Sequence, residues 1–362
     1  MISVPATQQS LKIQGPGKLS LADSCQIPHI QDDEVLVRVV CVAINPVDAK
    51  SADLSPSLGA TLGCDFSGEA ARVGGAVKKT LFIGDRVCGC VFGNNPDERG
   101  NGAFAEFVAV AGDLLFKLPS GMPYQVGASL GVGLSTVGMA LYHNLKLPLP
   151  PVSPAATSEP NFVLVYGGGT ATGGFAIQML RKSGLMPITT CSPRSYESVK
   201  ALGAVEVFDY RSASCGADIK SFTRNSLAYA LDCISDTGSM EICYAAIGST
   251  GGKYTALDPF PVRAHTRRNV KPNWIIAFTM FNKPINWQKP YRKEAKPKDR
   301  KFAEHWFQVA QGLLNTGAIV PHPIREESGG LKGVIDGVNM VRKGEVFGAK
   351  LVYRIQDEAG ER

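Results

Sequence analysis

The chain has 362 residues, 44% hydrophobic and 19% charged, which supplies a full core and suits two domains better than one small module. Thirty-eight Lys and Arg against 32 Asp and Glu give a formal charge of +6, too mild for this size to argue for nucleic acid or membrane, and residues 283–301, with eight bases and two acids, account for it. No apolar run reaches roughly 18 residues and the first residues lack a signal-like pattern, so neither membrane spanning nor secretion is expected and a cytoplasmic protein is.

In chain order, DDEVLVRVVCVAI alternates and is rich in β-branched residues; FSGEAARVG, GDRVCGCVFG and GAFAEFVAV are shorter strands cut by glycine. Together they predict a compact β-barrel-like unit. From Tyr124 the period becomes helical, through YQVGASLGVGLSTVGMALYHNL. The proline-rich run from Pro148 to Pro160 is expected to be an extended surface loop. After it the pattern is strand, glycine-rich turn, helix (NFVLVY, GGGTATGG, FAIQMLRKSG), then strands at MPITTC, EVFDY, AYALDCI and GKYTALD with helices between them. That alternation predicts a doubly wound parallel sheet. The Pro- and Lys-rich NKPINWQKPYRKEAKPKDR reads as a mobile basic excursion, followed by a helix with an apolar stripe at Phe302, Trp306, Val309 and Leu313 and, near the end, a helix and a closing strand, KLVYRI.

The nine cysteines are scattered and mostly lie in apolar runs, which reads as buried free thiols. The one close pair, Cys88 and Cys90, is C-x-C in a strand-like run, and the five histidines do not cluster, so no metal site is expected.

The turn Gly167-Gly168-Gly169-Thr170-Ala171-Thr172-Gly173-Gly174 sits between a strand and a helix, where a dinucleotide pyrophosphate rests on a helix N-terminus; the alternative is a tight turn with no ligand. At the end of the next strand an NAD site wants a carboxylate for the ribose 2′-hydroxyl, but the chain reads Cys191-Ser192-Pro193-Arg194-Ser195. A hydroxyl and a guanidinium attract a 2′-phosphate, which favours NADPH. The plainer reading has Ser192 capping a helix and Arg194 solvated. For Lys50, in Asn45-Pro46-Val47-Asp48-Ala49-Lys50, composition alone favours a surface cation.

AINPVDAK, GCDFSGEAARVG, GDRV and GAFAEF, followed by the glycine turn, resemble the zinc-free, quinone-oxidoreductase-like branch of the medium-chain dehydrogenase/reductase superfamily. Asn45-Pro46 and Gly63-Cys64-Asp65 stand where zinc alcohol dehydrogenases carry metal ligands. VAINPVDAK, VLVYGGGTAT, QMLRKSG, TCSPR, VFDYR, YALDCI, DPFP and VRKGE are similar to the trans-acting enoyl reductases, of the lovastatin type, that serve fungal highly reducing polyketide synthases, including those fused to a peptide synthetase.

The resemblance implies an α/β protein in which a GroES-like β-barrel catalytic domain (1–125 and 317–362) is joined to a Rossmann NADPH-binding domain (126–316). It implies cofactor contacts at Val47, Asp48, Ala49 and Lys50, at Gly169, Thr170, Ala171 and Thr172, at Ser192, Pro193, Arg194 and Ser195, at Tyr210, and at Leu257, Asp258, Val346 and Phe347. The acyl-binding stretch resembles Thr136, Val137, Gly138, Met139, Ala140, Leu141, Tyr142 and His143 with Ala277, Phe278, Thr279, Met280 and Phe281; the plainer reading of both is packing. The catalytic candidates are Lys50 as a cation near the ribose and carbonyl and Thr136 as a hydrogen-bond donor. The implied reaction is NADPH-dependent reduction of an α,β-unsaturated thioester on an acyl carrier protein of a polyketide synthase, by a monomer. Two other readings stay open: a stand-alone NADPH quinone or enone oxidoreductase of the zeta-crystallin type, and a non-catalytic nucleotide-binding protein of the crystallin kind.

Overall fold

A computed structural model describes residues 2–150 and 161–356; most of the expected proline-rich loop, residues 151–160, lies outside the described residues. The chain forms two compact units, one of residues 1–132 and 278–362 and one of residues 133–277.

In the first unit, β1 (Thr7–Gly15) and β2 (Lys18–Gln26) form a hairpin. They are followed by β3 (Glu34–Ala43), α1 (Pro46–Leu54), β4 (Asp65–Val73), β5 (Arg86–Cys90), β6 (Phe107–Ala111), β7 (Leu115–Lys117) and α2 (Tyr124–Ala128); the first two residues of α3 (Gly131–Val137) close this stretch and the rest of that helix belongs to the second unit. β3 is nearly all apolar because it is buried on both faces and pairs on its flanks with β4 and β6. Val35, Val37, Val39, Phe66 and Phe104 form the centre of this core.

The second unit contains β8 (Phe162–Tyr166), α4 (Ala171–Lys182), β9 (Met186–Cys191), α5 (Tyr196–Ala201), β10 (Glu206–Asp209), α6 (Cys215–Phe222), β11 (Tyr229–Asp232), α7 (Thr237–Ala246), β12 (Gly252–Ala256) and β13 (Val270–Trp274). Its six strands run in the order β10-β9-β8-β11-β12-β13, all parallel. The order reverses between β8 and β11, and in such sheets ligands bind beyond the carboxyl ends of the strands at that reversal. β13 carries Pro272, tolerated because the strand is at the sheet edge.

The chain then returns to the first unit with α8 (Pro297–Asn315), β14 (Ile324–Glu327), α9 (Gly330–Arg342) and β15 (Lys350–Arg354). β15 lies between β14 and β3, which completes the sheet β14-β15-β3-β4-β5-β7. Residues 278–316, expected with the nucleotide-binding domain, therefore sit in the barrel-like unit. The cause is α8: Phe307 stacks on Phe116 with centroids 4.4 Å apart, and Gln311 bonds both the N–H and the carbonyl of Lys117. The buried face of α8 is Ala303, Trp306, Phe307, Ala310 and Leu314, rotated by one position from the expected stripe except at Trp306. α9 packs so closely that a Cβ on Gly337 would stand 2.4 Å from the Tyr353 hydroxyl, and Arg342 grips Asp53 of α1 with Nε and Nη2.

Among the described residues no helix is long and apolar enough to cross a membrane, and no three His, Cys, Asp or Glu side chains gather as a metal ion would need.

Candidate active site

The glycine turn leaves β8 and enters α4 at the strand-order reversal. Gly167 has φ +88°, a left-handed conformation that glycine adopts without cost. A Cβ on Gly168 would stand 2.2 Å from Thr189 Oγ1, and one on Gly173 would stand 2.3 Å from the Gly167 carbonyl, so the turn is packed with no room for side chains. Thr170 is the N-cap of α4: its hydroxyl donates to the Gly167 carbonyl at 2.8 Å and accepts from the Gly173 N–H at 3.0 Å. The N–H groups of Ala171 and Thr172 precede the first intrahelical bonds and lie at the positive end of the helix dipole, where an anion is held.

The end of β9 comes against this turn. Residues Pro193–Ser195 make a 3-10 turn, and the Ser195 hydroxyl faces Gly169, 3.2 Å from where a Cβ would be. Ser192 and Ser195 are half-buried and Arg194 is exposed. The next strand end does carry an acid, Asp209, but Arg211 takes both of its oxygens at 3.0 and 2.8 Å, which holds that carboxyl below its usual range. Tyr210, 41% exposed, lies with its ring centroid 6.3 Å from that of Tyr166. Leu257 follows β12 and donates its N–H to the Ser235 hydroxyl at 3.0 Å, with Asp258 next in the chain. The second unit thus brings together the expected pyrophosphate and 2′-phosphate segments.

In the first unit, Val47, Asp48, Ala49 and Lys50 form the first turns of α1, started by Asn45 as N-cap and Pro46 at the first helical position. Lys50 is exposed; Asp48 and Ala49 face the interior. One Asp48 oxygen accepts the Asn45 N–H at 2.7 Å, while Oδ1 is buried with no hydrogen-bond partner. Burial pushes the Asp48 carboxyl up to about 7, against the pull of the Asn45 N–H and the Cys64 thiol. Beside it lies a charge pair that the sequence reading did not connect: Asp65, noted there only for its place at a metal-ligand position of zinc enzymes, is fully buried and bonded to the Lys350 ammonium, which also reaches the Ser129 carbonyl at 3.3 Å. A nearby ring, His322, is pushed down to about 4 by burial, with the Lys350 charge adding to the effect. An aspartate inside the apolar run GCDFSG was the available signal for this cluster, since a carboxylate in a buried strand demands a partner. Val346 packs on the core and Phe347, 65% exposed, leads into β15.

Thr136 lies in α3 and is 8% exposed. The chain then runs through a π-helical stretch, Gly138–Asn144, a distortion that recurs at functional sites. Val137, Ala140 and Leu141 there are fully buried, and Met139 and Tyr142 nearly so; Tyr142 shares a 3.0 Å hydrogen bond with Ser183, and Asn144 accepts from Thr255 at 2.7 Å. Gly138 is buried and His143 half-buried. Ala277–Phe281 is a 3-10 turn in which Phe278 stacks on Phe92 at 5.0 Å, Met280 is fully buried, Thr279 is 4% exposed and Phe281 is half-buried.

The basic segment is not the loose excursion expected. Trp287 is buried, donates its indole N–H to the Asn94 carbonyl at 2.7 Å and meets Phe92 and Phe278 edge-on, and Ile285 bridges to Lys293. Lys283 is paired with Glu98, and Arg300 with Asp113 and Glu304. The side chains of Lys289, Arg292, Lys296, Lys298 and Lys301 stay exposed on this anchored base.

Comparison with known proteins agrees with this architecture. The alcohol dehydrogenase GroES-like domain matches residues 31–120. A trans-enoyl reductase of Penicillium oxalicum is 51% identical over 99% of both chains, and one of Talaromyces variabilis is 49% identical over 98% of both. Among solved structures, the CurK enoyl reductase superposes with a TM-score of 0.75 at 16% identity, covering 97% of this chain and all of that one.

Proposed function

The chain belongs to the trans-enoyl reductases, and from that premise we propose that it reduces the carbon–carbon double bond of an α,β-unsaturated polyketide thioester carried on the acyl carrier protein of a partner polyketide synthase, as a monomer and with NADPH. The observation that carries the cofactor half is the pairing of a side-chain-free turn capped by Thr170 with Ser195 set against Gly169, where the strand end offers hydroxyls and a guanidinium in place of a carboxylate.

The residues present fit a phosphorylated dinucleotide. Gly169, Thr170, Ala171 and Thr172 would receive the pyrophosphate through backbone N–H groups, and Ser192, Pro193, Arg194 and Ser195 the 2′-phosphate. Tyr210 would flank the adenine ribose; Val47, Asp48, Ala49, Lys50, Leu257, Asp258, Val346 and Phe347 would border the nicotinamide half. Bound NADPH would supply the hydride for the β-carbon of the enoyl group.

What this chain must add is placement and charge stabilisation at the thioester oxygen, where negative charge grows as the double bond is reduced. Thr136 has the hydroxyl to donate to that oxygen, and Lys50 the fixed positive charge for the ribose and carbonyl region. The apolar residues of 136–143 and 277–281 suit an acyl chain, Thr136 and Phe281 being among those that keep some exposure. The exposed bases on the Trp287-anchored segment suit an acidic carrier protein.

The test is NADPH oxidation with crotonyl-pantetheine and longer enoyl thioesters, set beside free quinones and enals. Turnover of the thioesters is expected. Faster turnover of quinones, or binding of NADPH with no oxidation on any substrate, would overturn the proposal.

A further inference from the structure

Asp65, the first residue of β4, is fully buried and uses both carboxylate oxygens. Oδ2 accepts from Asn45 Nδ2 at 3.0 Å and from the Lys350 ammonium; Oδ1 accepts the Val132 N–H at 2.6 Å. None of these three partners is a neighbour in the chain. Asn45 caps the helix that begins with Val47, Asp48, Ala49 and Lys50; Lys350 opens β15 directly after the segment of Val346 and Phe347; Val132 is the second residue of α3, the helix on which Thr136 lies. The fit is close: a Cβ on Gly131 would stand 2.6 Å from Asp65 Oδ1 and 2.3 Å from the Gly89 carbonyl.

A buried ion pair is poor value as a source of stability, since well-packed apolar residues commonly replace such pairs without loss. Geometric specificity is the better explanation where the bonds converge on functional segments. We infer that Asp65, braced by Lys350, is a positioning residue for the cofactor: its carboxylate fixes the cap of α1, the start of β15 and the start of α3 in one arrangement. This rests on the reading of those segments given under the proposed function. Sub-ångström placement of binding groups governs affinity strongly, so loosening one of these three ties is felt at the ligand and not only in the melting temperature.

The test is NADPH affinity by nucleotide fluorescence, with thermal melting alongside. Asp65→Asn is expected to weaken NADPH binding by about tenfold or more. Asn45→Ser keeps an N-cap hydroxyl and the fold but is too short to reach Asp65, so it is expected to weaken binding by about fivefold with little change in melting temperature. Glu69→Gln is the comparison: Glu69 is a buried acid of the same unit, paired with Arg38 and Tyr124, and contacts none of the three segments through those bonds. It is expected to lower the melting temperature while NADPH affinity stays within about twofold. The inference is overturned if Asn45→Ser, or a folded Asp65→Asn, binds NADPH within about twofold of the unaltered chain, or if Glu69→Gln weakens binding as much as they do. Should the unaltered chain bind NADPH yet leave enoyl thioesters untouched, the proposed reaction fails while this inference still stands on the binding data.

Discussion

Asp48 gives one carboxylate oxygen to the backbone N–H of Asn45 at 2.7 Å and leaves the other buried without a partner. A carboxyl in that position holds its proton to a pH of about 7, whereas the unfolded chain releases it near 3.8. Across that window the folded state binds more protons than the unfolded one, so stability falls as pH rises. His322 works in the opposite sense between about 4 and its ordinary 6.5, where the unfolded chain binds the extra proton and stability rises with pH. The two oppose each other up to 6.5; above it Asp48, with Asp65, Lys350 and Cys64 as its charged or titratable neighbours, acts without His322, until Lys79, brought down to about 8 by burial, begins to favour the folded state as pH nears 8. Melting temperature should therefore decline from about pH 6.5 to pH 7 in the unaltered chain, and that decline should be absent in Asp48→Asn. A decline of the same size in both would remove Asp48 as its source.

Gly168→Ala places a methyl 2.2 Å from Thr189 Oγ1, a hydroxyl already committed to the Val165 carbonyl at 2.6 Å. The turn must shift, at an overpacking cost of about 1–3 kcal/mol, and NADPH affinity should drop by about tenfold or more. Gly184→Ala is the comparison, a left-handed glycine with nothing within 4 Å of the added carbon; it should cost stability of about 1 kcal/mol and spare the nucleotide. Fluorescence titration with NADPH on both variants decides the matter.

Arg194→Ala should separate the two nicotinamide cofactors. The loss of a charge-assisted contact to a 2′-phosphate predicts a rise in KM for NADPH of about tenfold, near 1.4 kcal/mol, with KM for NADH little altered. Equal changes for the two would mean that the guanidinium does not read the 2′-phosphate.

Lys50→Ala should lower kcat on crotonyl-pantetheine by about tenfold or more, about 1.4 kcal/mol of transition-state stabilisation. Because Lys50 is exposed, melting should be nearly unchanged. Unaltered steady-state kinetics on the thioester would take Lys50 out of the chemistry.

Glutamine at Lys289, Lys296, Lys298 and Lys301 together should raise KM for carrier-bound thioester by about tenfold at low salt and leave pantetheine thioesters alone. The effect should fade as ionic strength rises. Equal effects on the two kinds of substrate would assign these bases no part in carrier recognition.

The parts of the fold legible in the sequence are those with local signatures: the apolar alternation of β3, the glycine turn between β8 and α4, the strand–helix alternation after it. What escaped either lacked a clear local pattern or depended on contacts distant in sequence. The β1–β2 hairpin turns at Gly15-Pro16-Gly17 but its second strand is half exposed and polar, so its alternation is faint. β13 was masked by Pro272. Which unit owns α8 is decided by Phe307 on Phe116 and Gln311 on Lys117, pairings no periodicity encodes. At the site, the pyrophosphate and 2′-phosphate segments could be named because each is a short run, whereas the bond between Asp65 and Lys350 joins two residues that nothing in a linear reading connects.

The placement of β15 between β14 and β3 has a consequence for biosynthesis. The second unit is one uninterrupted stretch, residues 133–277, and every strand of its sheet has left the ribosome before the first unit can pair Val352 with Ala43. Contacts between such remote segments are the slow ones to form, because the loop between them must close first. The nucleotide-binding unit is thus free to fold during translation, while the barrel-like unit waits with an open flank on β3 until Val352 to Arg354 have been made. A ribosome stalled with residues up to about 280 clear of its exit tunnel should display a protease-resistant second unit beside a protease-sensitive first one.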